Sequence, residues 1–268
     1  MLDSFVNNYV APPPVALPDP EQVLSSTEPY DINYALPLHL DTLSSPTVRL
    51  TPFIPAAHAK TLWDHIGPQS YELFKYYASM PGTFPEFLAL IETIRSEPEW
   101  CGFAVIDRTK SPTKEEAWQT DGDGVLAGFM ALVRTSAAHL WTEIGYVVVF
   151  PAFQRTHVAR TAVGLLLRYC LQTPIASPPG IGFLRIYWAA HPKNKPSIAL
   201  ARRMGFKEEG LLRWMAVLPN VKEMNEEGEA VERNGNIESY GRHTTSFAQC
   251  WDDWESGGRE LIGAIIQG

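Results

Sequence analysis

Cysteine is scarce: three in 268 residues, Cys101, Cys170 and Cys250, odd in number and far apart. That excludes a disulfide framework and fits a reducing, cytoplasmic setting. Long apolar runs are also missing, and no stretch reaches the roughly 18 consecutive apolar residues of a spanning helix. The N-terminus, Met1-Leu2-Asp3-Ser4-Phe5, has no basic segment leading into an apolar one, so no secretory signal is expected. Positive charge is in short supply: 22 Lys and Arg face 30 Asp and Glu, for a net charge of −8. Such a chain binds phosphate backbones poorly, which argues against nucleic acid as a partner, and without a spanning helix no membrane partner is expected either. It suits a cationic substrate such as an amine better.

What is present is ordinary globular composition, 45% hydrophobic and 19% charged. Residues 1–46 hold eight prolines, including Pro12-Pro13-Pro14, and no sustained periodicity, so they read as an extended arm able to wrap the domain. The domain proper is expected over 47–268. Thr47 to Leu50 reads as a strand, and Pro55–Ile66 and Pro85–Ile94 as helices. Strands follow over Trp100–Ile106, Val125–Val133 and His139–Phe150, with Gly145 marking a bulge or splay in the last. Val158–Leu171 is the clearest helix, with Ala159, Val163, Leu166, Leu167 and Cys170 on one stripe. Phe183–Ala189 reads as a strand, Ser197–Met204 as a helix closed by Gly205, and Phe206–Leu218 as strand-like. Residues 219–238, with Glu223, Glu226, Glu227, Glu229 and Glu232, read as a solvated acidic loop. Thr244–Cys250 and a short C-terminal helix close the chain. The order implies an α/β (α+β) domain around one mixed sheet.

The chemistry centres on Gln154-Arg155-Thr156-His157-Val158-Ala159, between a strand and the clearest helix. Unpaired N–H groups at a helix start, with the positive dipole end, favour a pyrophosphate. Arg155, Gln154 and Thr156 add a guanidinium, an amide and a hydroxyl that can donate to phosphate oxygens. Such joints are also common without any ligand.

The run resembles the acetyl-CoA loop of the GNAT superfamily of N-acetyltransferases, with Gln154 and Ala159 on the pattern and His157 where glycine is usual. Glu143-Ile144-Gly145-Tyr146-Val147-Val148, Asn194-Lys195-Pro196-Ser197 and Gly205-Phe206-Lys207-Glu208-Glu209-Gly210 resemble its RimJ/RimL-type branch, in order. The flanks, including Trp251 to Glu255, look like those of fungal members. The resemblance spans roughly residues 47–218. It implies a mostly antiparallel sheet, splayed at the acetyl-CoA cleft and flanked by helices. The pantetheine arm is then expected along Val147, Val148 and Val149. The pyrophosphate is expected on Gln154 to Ala159 with Arg160 and Thr161, and Asn194 contacts the arm from the other side.

Direct transfer needs a neutral amine. At pH 7.4 an alkylamine is only about one part in a thousand neutral, which costs roughly 4 kcal/mol, whereas a peptide terminus is about one quarter neutral. A base therefore matters most for an alkylamine. Glu143, a carboxylate in an otherwise apolar strand, is the candidate, directly or through water; a solvent-facing strand carboxylate is the plain alternative. Ser197 matches the position from which this branch hydrogen-bonds the departing sulfur, and a helix-capping role explains it equally well. Tyr187 and Trp188 either line the acceptor pocket or pack in the core. His139 to Glu143 has the spacing of a His-x-x-x-Asp motif without its aspartate, no Gly-x-Ser-x-Gly elbow appears, and the seven histidines lack metal spacing, so no metal is expected. The reading is an acetyl-CoA-dependent transfer to a primary amine: a small amine, amino acid, metabolite or protein N-terminus. A homodimer is compatible with it. The alternative, motivated by His157, is an acyl-CoA-binding or regulatory protein without catalysis.

Overall fold

A computed structural model of the chain describes residues 5–11, 13–67, 70–77, 81–114, 116–218 and 226–268. The elements are α1 (Pro20–Leu24), β1 (Val48–Pro52), α2 (Pro55–Ile66), α3 (Ser70–Phe74), α4 (Phe84–Ser96), β2 (Cys101–Asp107), β3 (Val125–Ser136), β4 (Trp141–Val149), α5 (Val158–Leu171), β5 (Arg185–Ala190), α6 (Lys195–Arg203), β6 (Lys207–Val217), β7 (Glu229–Arg233), β8 (Asn236–Cys250) and α7 (Arg259–Gln267). The eight strands form one open sheet in the order β1-β2-β3-β4-β5-β8-β6, with β7 on the far part of β8. Every pairing is antiparallel except β4 with β5, which α5 connects as a crossover.

Strand alternation assigns the two faces. Leu62 and Ile66 of α2 and Phe87 and Ile91 of α4 meet Phe129 and Val148, which are partners across β3 and β4. The neighbouring rungs on that face carry Ala131 with Gly145 and Val133 with Glu143, and Glu143 in turn pairs with Tyr187. The opposite face carries Trp188 and Phe247, both buried, under α5, α6 and α7. There Gly164 of α5 lets Ile262 and Ile266 of α7 come close, since a Cβ would stand 3.3 Å from Ile266.

The feature that positions the site is the end of the β4–β5 ladder. It runs Trp141 with Arg185, Thr142 with Ile186 and Glu143 with Tyr187, and stops. Both strands continue, β4 on β3 to Val149 and β5 on β8 to Ala190, so the sheet opens as a wedge. The bulge expected at Gly145 falls one residue later: Tyr146 and Val147 together oppose Met130, and Tyr146 takes φ +50°. The extra residue bends β4 away from β5.

Two expectations need correction. Of the loop read over 219–238, residues 219–225 lie outside the described residues. Glu229–Arg233 is β7, turned at Asn234-Gly235 (φ +54° and +77°) into a β8 that begins at Asn236 instead of Thr244. Asn-Gly is a strong hairpin signal, and the surrounding run of glutamates hid it. The arm is also not extended throughout, since Pro20–Leu24 forms α1, and its second half lies along the domain as a wrapping arm does. Phe5, Val6, Tyr9 and Val10 are exposed, but residues 34–45 are sewn onto the domain. Leu43 is wholly buried, the Tyr169 hydroxyl donates to the Pro37 carbonyl at 2.8 Å, and Arg168 donates to the carbonyls of Thr42 and Ser44. Packing therefore starts before Thr47. No described helix is long and apolar enough to cross a membrane.

Candidate active site

The loop between β4 and α5 folds around its own polar groups. Gln154 Nε2 donates to the Val149 carbonyl at 3.0 Å, which ties the loop to the end of β4. The Thr156 hydroxyl donates to the Phe153 carbonyl at 2.6 Å and accepts from Val158 N–H at 3.3 Å. The first helical bond runs from Thr161 N–H to the His157 carbonyl. That leaves the N–H groups of Ala159 and Arg160 without an acceptor among the described residues, as a helix start should. Arg155 and Arg160 are exposed, and Lys110 Nζ sits 4.2 Å over the Phe153 ring, a third cation beside the loop. Thr161 is buried, so it stands behind this surface rather than on it.

His157 has φ −68° and ψ −26°, an ordinary helical conformation that needs no glycine. The left-handed residue of the loop is Arg155, at φ +60°. The His157 ring turns inward: Nε2 lies 3.4 Å from Oδ1 of the buried Asp107, without hydrogen-bond geometry. Asp107 Oδ1 is already engaged by the N–H and hydroxyl of Thr109. The imidazole thus lies beside Asp107 of β2, with part of its side chain still exposed.

Glu143 is 6% exposed and occupies the last rung before the wedge. Arg134 donates to its Oε2, a contact the sequence reading missed. Arg134 reaches it because the β3–β4 register slips between Val133 and Ser136, where Arg134 takes φ +54°. Oε1 lies on the side of Gly145, 3.8 Å from where a Cβ there would sit.

Across the wedge, Asn194 caps α6 by accepting from Ser197 N–H at 3.2 Å. The Ser197 hydroxyl oxygen accepts from Trp188 Nε1 at 3.0 Å, which leaves its own proton to donate elsewhere. Trp188 is buried against Phe206, so it is a core residue that also orients Ser197. Asp253 accepts from Cys250 N–H and pairs with Lys207, which accounts for one of the two aspartates between the C-terminal tryptophans.

The Glu143 face of the wedge is aromatic and polar. Tyr77 stacks on Tyr146 with ring centroids 5.6 Å apart, and Tyr76 lies 5.1 Å from the buried His191. Burial, then Arg242 and Lys193, lower the His191 pKa to about 4, so its ring is neutral at pH 7.

Comparison with known proteins identifies the fold that carries these residues. An acetyltransferase (GNAT) domain model matches residues 48–207, more than half of the chain. No curated protein matches. Among solved structures, a GCN5-related N-acetyltransferase from Brucella melitensis is 23% identical, with a TM-score of 0.62 over 83% of this chain and 84% of that one. RimJ from Mycobacterium smegmatis, in complex with CoA-disulfide, is 17% identical, with a TM-score of 0.56 over 81% and 88%. Spermidine N-acetyltransferase from Vibrio cholerae, in complex with CoA and spermine, is 16% identical, with a TM-score of 0.51 over 78% and 98%. With the domain model spanning β1 to the start of β6 and the wedge lying inside it, the chain belongs to the GNAT acetyltransferase family.

Proposed function

We propose that this protein transfers an acetyl group from acetyl-CoA to a primary amine, directly, in a ternary complex of the RimJ/RimL type. The observation that carries the reading is the wedge that opens at Glu143 and Tyr187 and leads to a helix start with free N–H groups. The donor set fits a phosphorylated thioester: the N–H groups of Ala159 and Arg160, with Arg155 and Lys110 beside them, for the pyrophosphate. The unpaired edge of β4 over Val147 to Val149 suits an amide-bearing arm added like a strand.

Bound acetyl-CoA supplies an activated acyl group and a thiolate leaving group. This chain's residues do the rest. Glu143 takes a proton from the acceptor's ammonium, directly or through a water, which frees the neutral amine to attack the acyl carbon as the bond to sulfur breaks, while Arg134 holds its carboxylate in place. The Ser197 hydroxyl, fixed by Trp188, donates toward the sulfur. A thiol has a pKa of about 8.5, so the help needed there is small.

A thiol-release assay with a panel of primary amines tests the proposal. Turnover with at least one amine, reduced by Glu143→Gln, is expected. Cofactor binding without turnover across the panel would instead indicate a non-catalytic acyl-CoA binder.

A further inference from the structure

Among the described residues, Arg242 is a half-buried guanidinium that meets no carboxylate. Nη1 donates to the Tyr76 carbonyl, Nη2 donates to Thr244 Oγ1 at 3.2 Å, and Nε is shielded from water with no acceptor. The contrast with Arg168 is instructive. That guanidinium is also half-buried and unpaired by carboxylate, but three bonds to the carbonyls of Thr42 and Ser44 satisfy its Nε and Nη2. Arg242 keeps Nη2 only partly used, with Thr244 as its one acceptor, and a charge-assisted bond from that nitrogen to a carboxylate oxygen is the contact left open, Nε being closed off.

Arg242 also faces the site. On β8, Ala248 pairs with Tyr187 and Ser246 with Ala189, so alternation puts Ser246, Thr244 and Arg242 on the face of Tyr187 and Glu143. The carboxylates of that region are taken: Glu143 by Arg134, and Glu227 by Lys193 at 3.6 Å and Lys75 at 4.0 Å. Burial first, with Arg134 adding, pulls the Arg242 pKa down, and Arg242 in turn helps to keep His191 uncharged. Arg242 is thus a cation whose own contacts, a carbonyl and a hydroxyl, supply no countercharge. A fully cationic acceptor such as a polyamine is repelled there, whereas an anionic group compensates a charge that is costly to bury alone.

We infer that the amine acceptor carries a carboxylate that docks on Arg242, several bonds away from the amine that Glu143 receives. This rests on the acetyl-transfer reading. The separation follows from the strand: Arg242 lies six residues beyond Ala248, about 20 Å of extended chain at roughly 3.3 Å per residue, which two long side chains only partly close. A short peptide with a free C-terminus or an ω-amino acid has that shape, and a free α-amino acid does not.

The test compares kcat/KM for triglycine with triglycine amide, and for 6-aminohexanoate with its amide. The carboxylate member is expected to be favoured at least tenfold, and Arg242→Gln to erase the preference, the acid falling to the level of its amide. Arg242→Lys, which keeps a point charge without the fork, is expected to retain part of it. Amides used as well as acids, or an equal loss on both in Arg242→Gln, overturns the inference. A second measurement does not depend on turnover: calorimetric binding of N-acetyl-triglycine, with and without CoA, to the wild type and to Arg242→Gln of unchanged melting temperature. Binding lost in the variant supports the inference. Binding equal in both, or absent from the wild type, overturns it. Failure of CoA itself to bind sinks the transferase reading instead, and the CoA-free arm still decides the role of Arg242.

Discussion

Glu143 and Tyr187 face each other across the last rung of the β4–β5 ladder, and beyond them the two strands part. The carboxylate is therefore at once the end of a hydrogen-bonded sheet and the apex of an open cleft. Its value as a base depends on the acceptor. For an alkylamine, Glu143→Gln is expected to lower kcat by roughly 10²–10⁴. For an amine with pKa near 8 the loss is expected to be smaller, because about a quarter of it is already neutral at pH 7.4. Steady-state kinetics on two amines of different pKa read this directly. An equal loss for both means that Glu143 positions the acceptor rather than taking its proton.

Arg134 is the partner that makes Glu143 tolerable in the sheet. Arg134→Met removes the donor and leaves the buried carboxylate uncompensated. The stability cost is expected at about 1–3 kcal/mol, tempered because Arg134 itself is half exposed. In the double variant with Glu143→Gln the cost shrinks, since a neutral amide is cheaper to leave in that position. Urea unfolding of both singles and the double measures the coupling, and additive effects would rule the pair out as a stabilising contact.

The loop between β4 and α5 is legible in the sequence for a local reason: its donors and its helix start are contiguous in sequence. Its conformation is not. The expected departure, His157 for glycine, has no backbone cost at φ −68°, while the left-handed residue is Arg155, which nothing in the composition marks. The contact between Arg134 and Glu143 depends on a register slip, and Arg242 reaches the site from a strand some hundred residues beyond Glu143. Neither follows from periodicity. Hairpin β7–β8 was lost for the opposite reason: its turn is written in the sequence, but a charge run overrode it.

Arg155 makes a prediction in which binding and stability separate. A non-glycine residue at φ +60° is strained by about 1 kcal/mol or more, and glycine relieves that strain at a similar entropic cost. Arg155→Gly is expected to leave the unfolding free energy within about 0.5 kcal/mol of the wild type. The same change removes an exposed guanidinium beside the helix start. CoA affinity is expected to fall about tenfold, the loss of one charge-assisted bond of about 1.5 kcal/mol. Calorimetry with CoA at two salt concentrations checks it, the loss being larger at low salt.

Ser197 separates two roles that coincide in one residue. Its N–H completes the Asn194 cap, which Ser197→Ala preserves, and its hydroxyl accepts from Trp188. Because a thiolate leaves readily, Ser197→Ala is expected to lower kcat by about tenfold or less, without changing the melting temperature by more than about a degree or two. A loss beyond about 10³ would mean that the hydroxyl does more than assist the sulfur.

Two buried histidines, His58 and His191, are expected to make the fold sensitive to acid. His58 accepts from Ile54 N–H through Nδ1 at 3.0 Å and lies 2.9 Å from the Gln119 carbonyl through Nε2, which requires the neutral ring with its proton on Nε2. Burial lowers its pKa to about 4 from an ordinary 6.5, and His191 is lowered to about 4 as well. The folded values lie below the unfolded one, so the unfolded chain binds more protons between them. Their contribution is complete above pH 6.5 and is lost as pH falls from 6.5 to 4. For His58 alone this amounts to at most about 3 kcal/mol. Urea midpoints are expected to agree at pH 7.5 and 7.0 and to decline steadily from 6.5 to 4.5. His58→Gln keeps a donor and an acceptor but cannot titrate, and its decline is expected to be shallower over the same range. A variant that loses stability with the wild-type slope would exclude His58 as a source of the acid sensitivity.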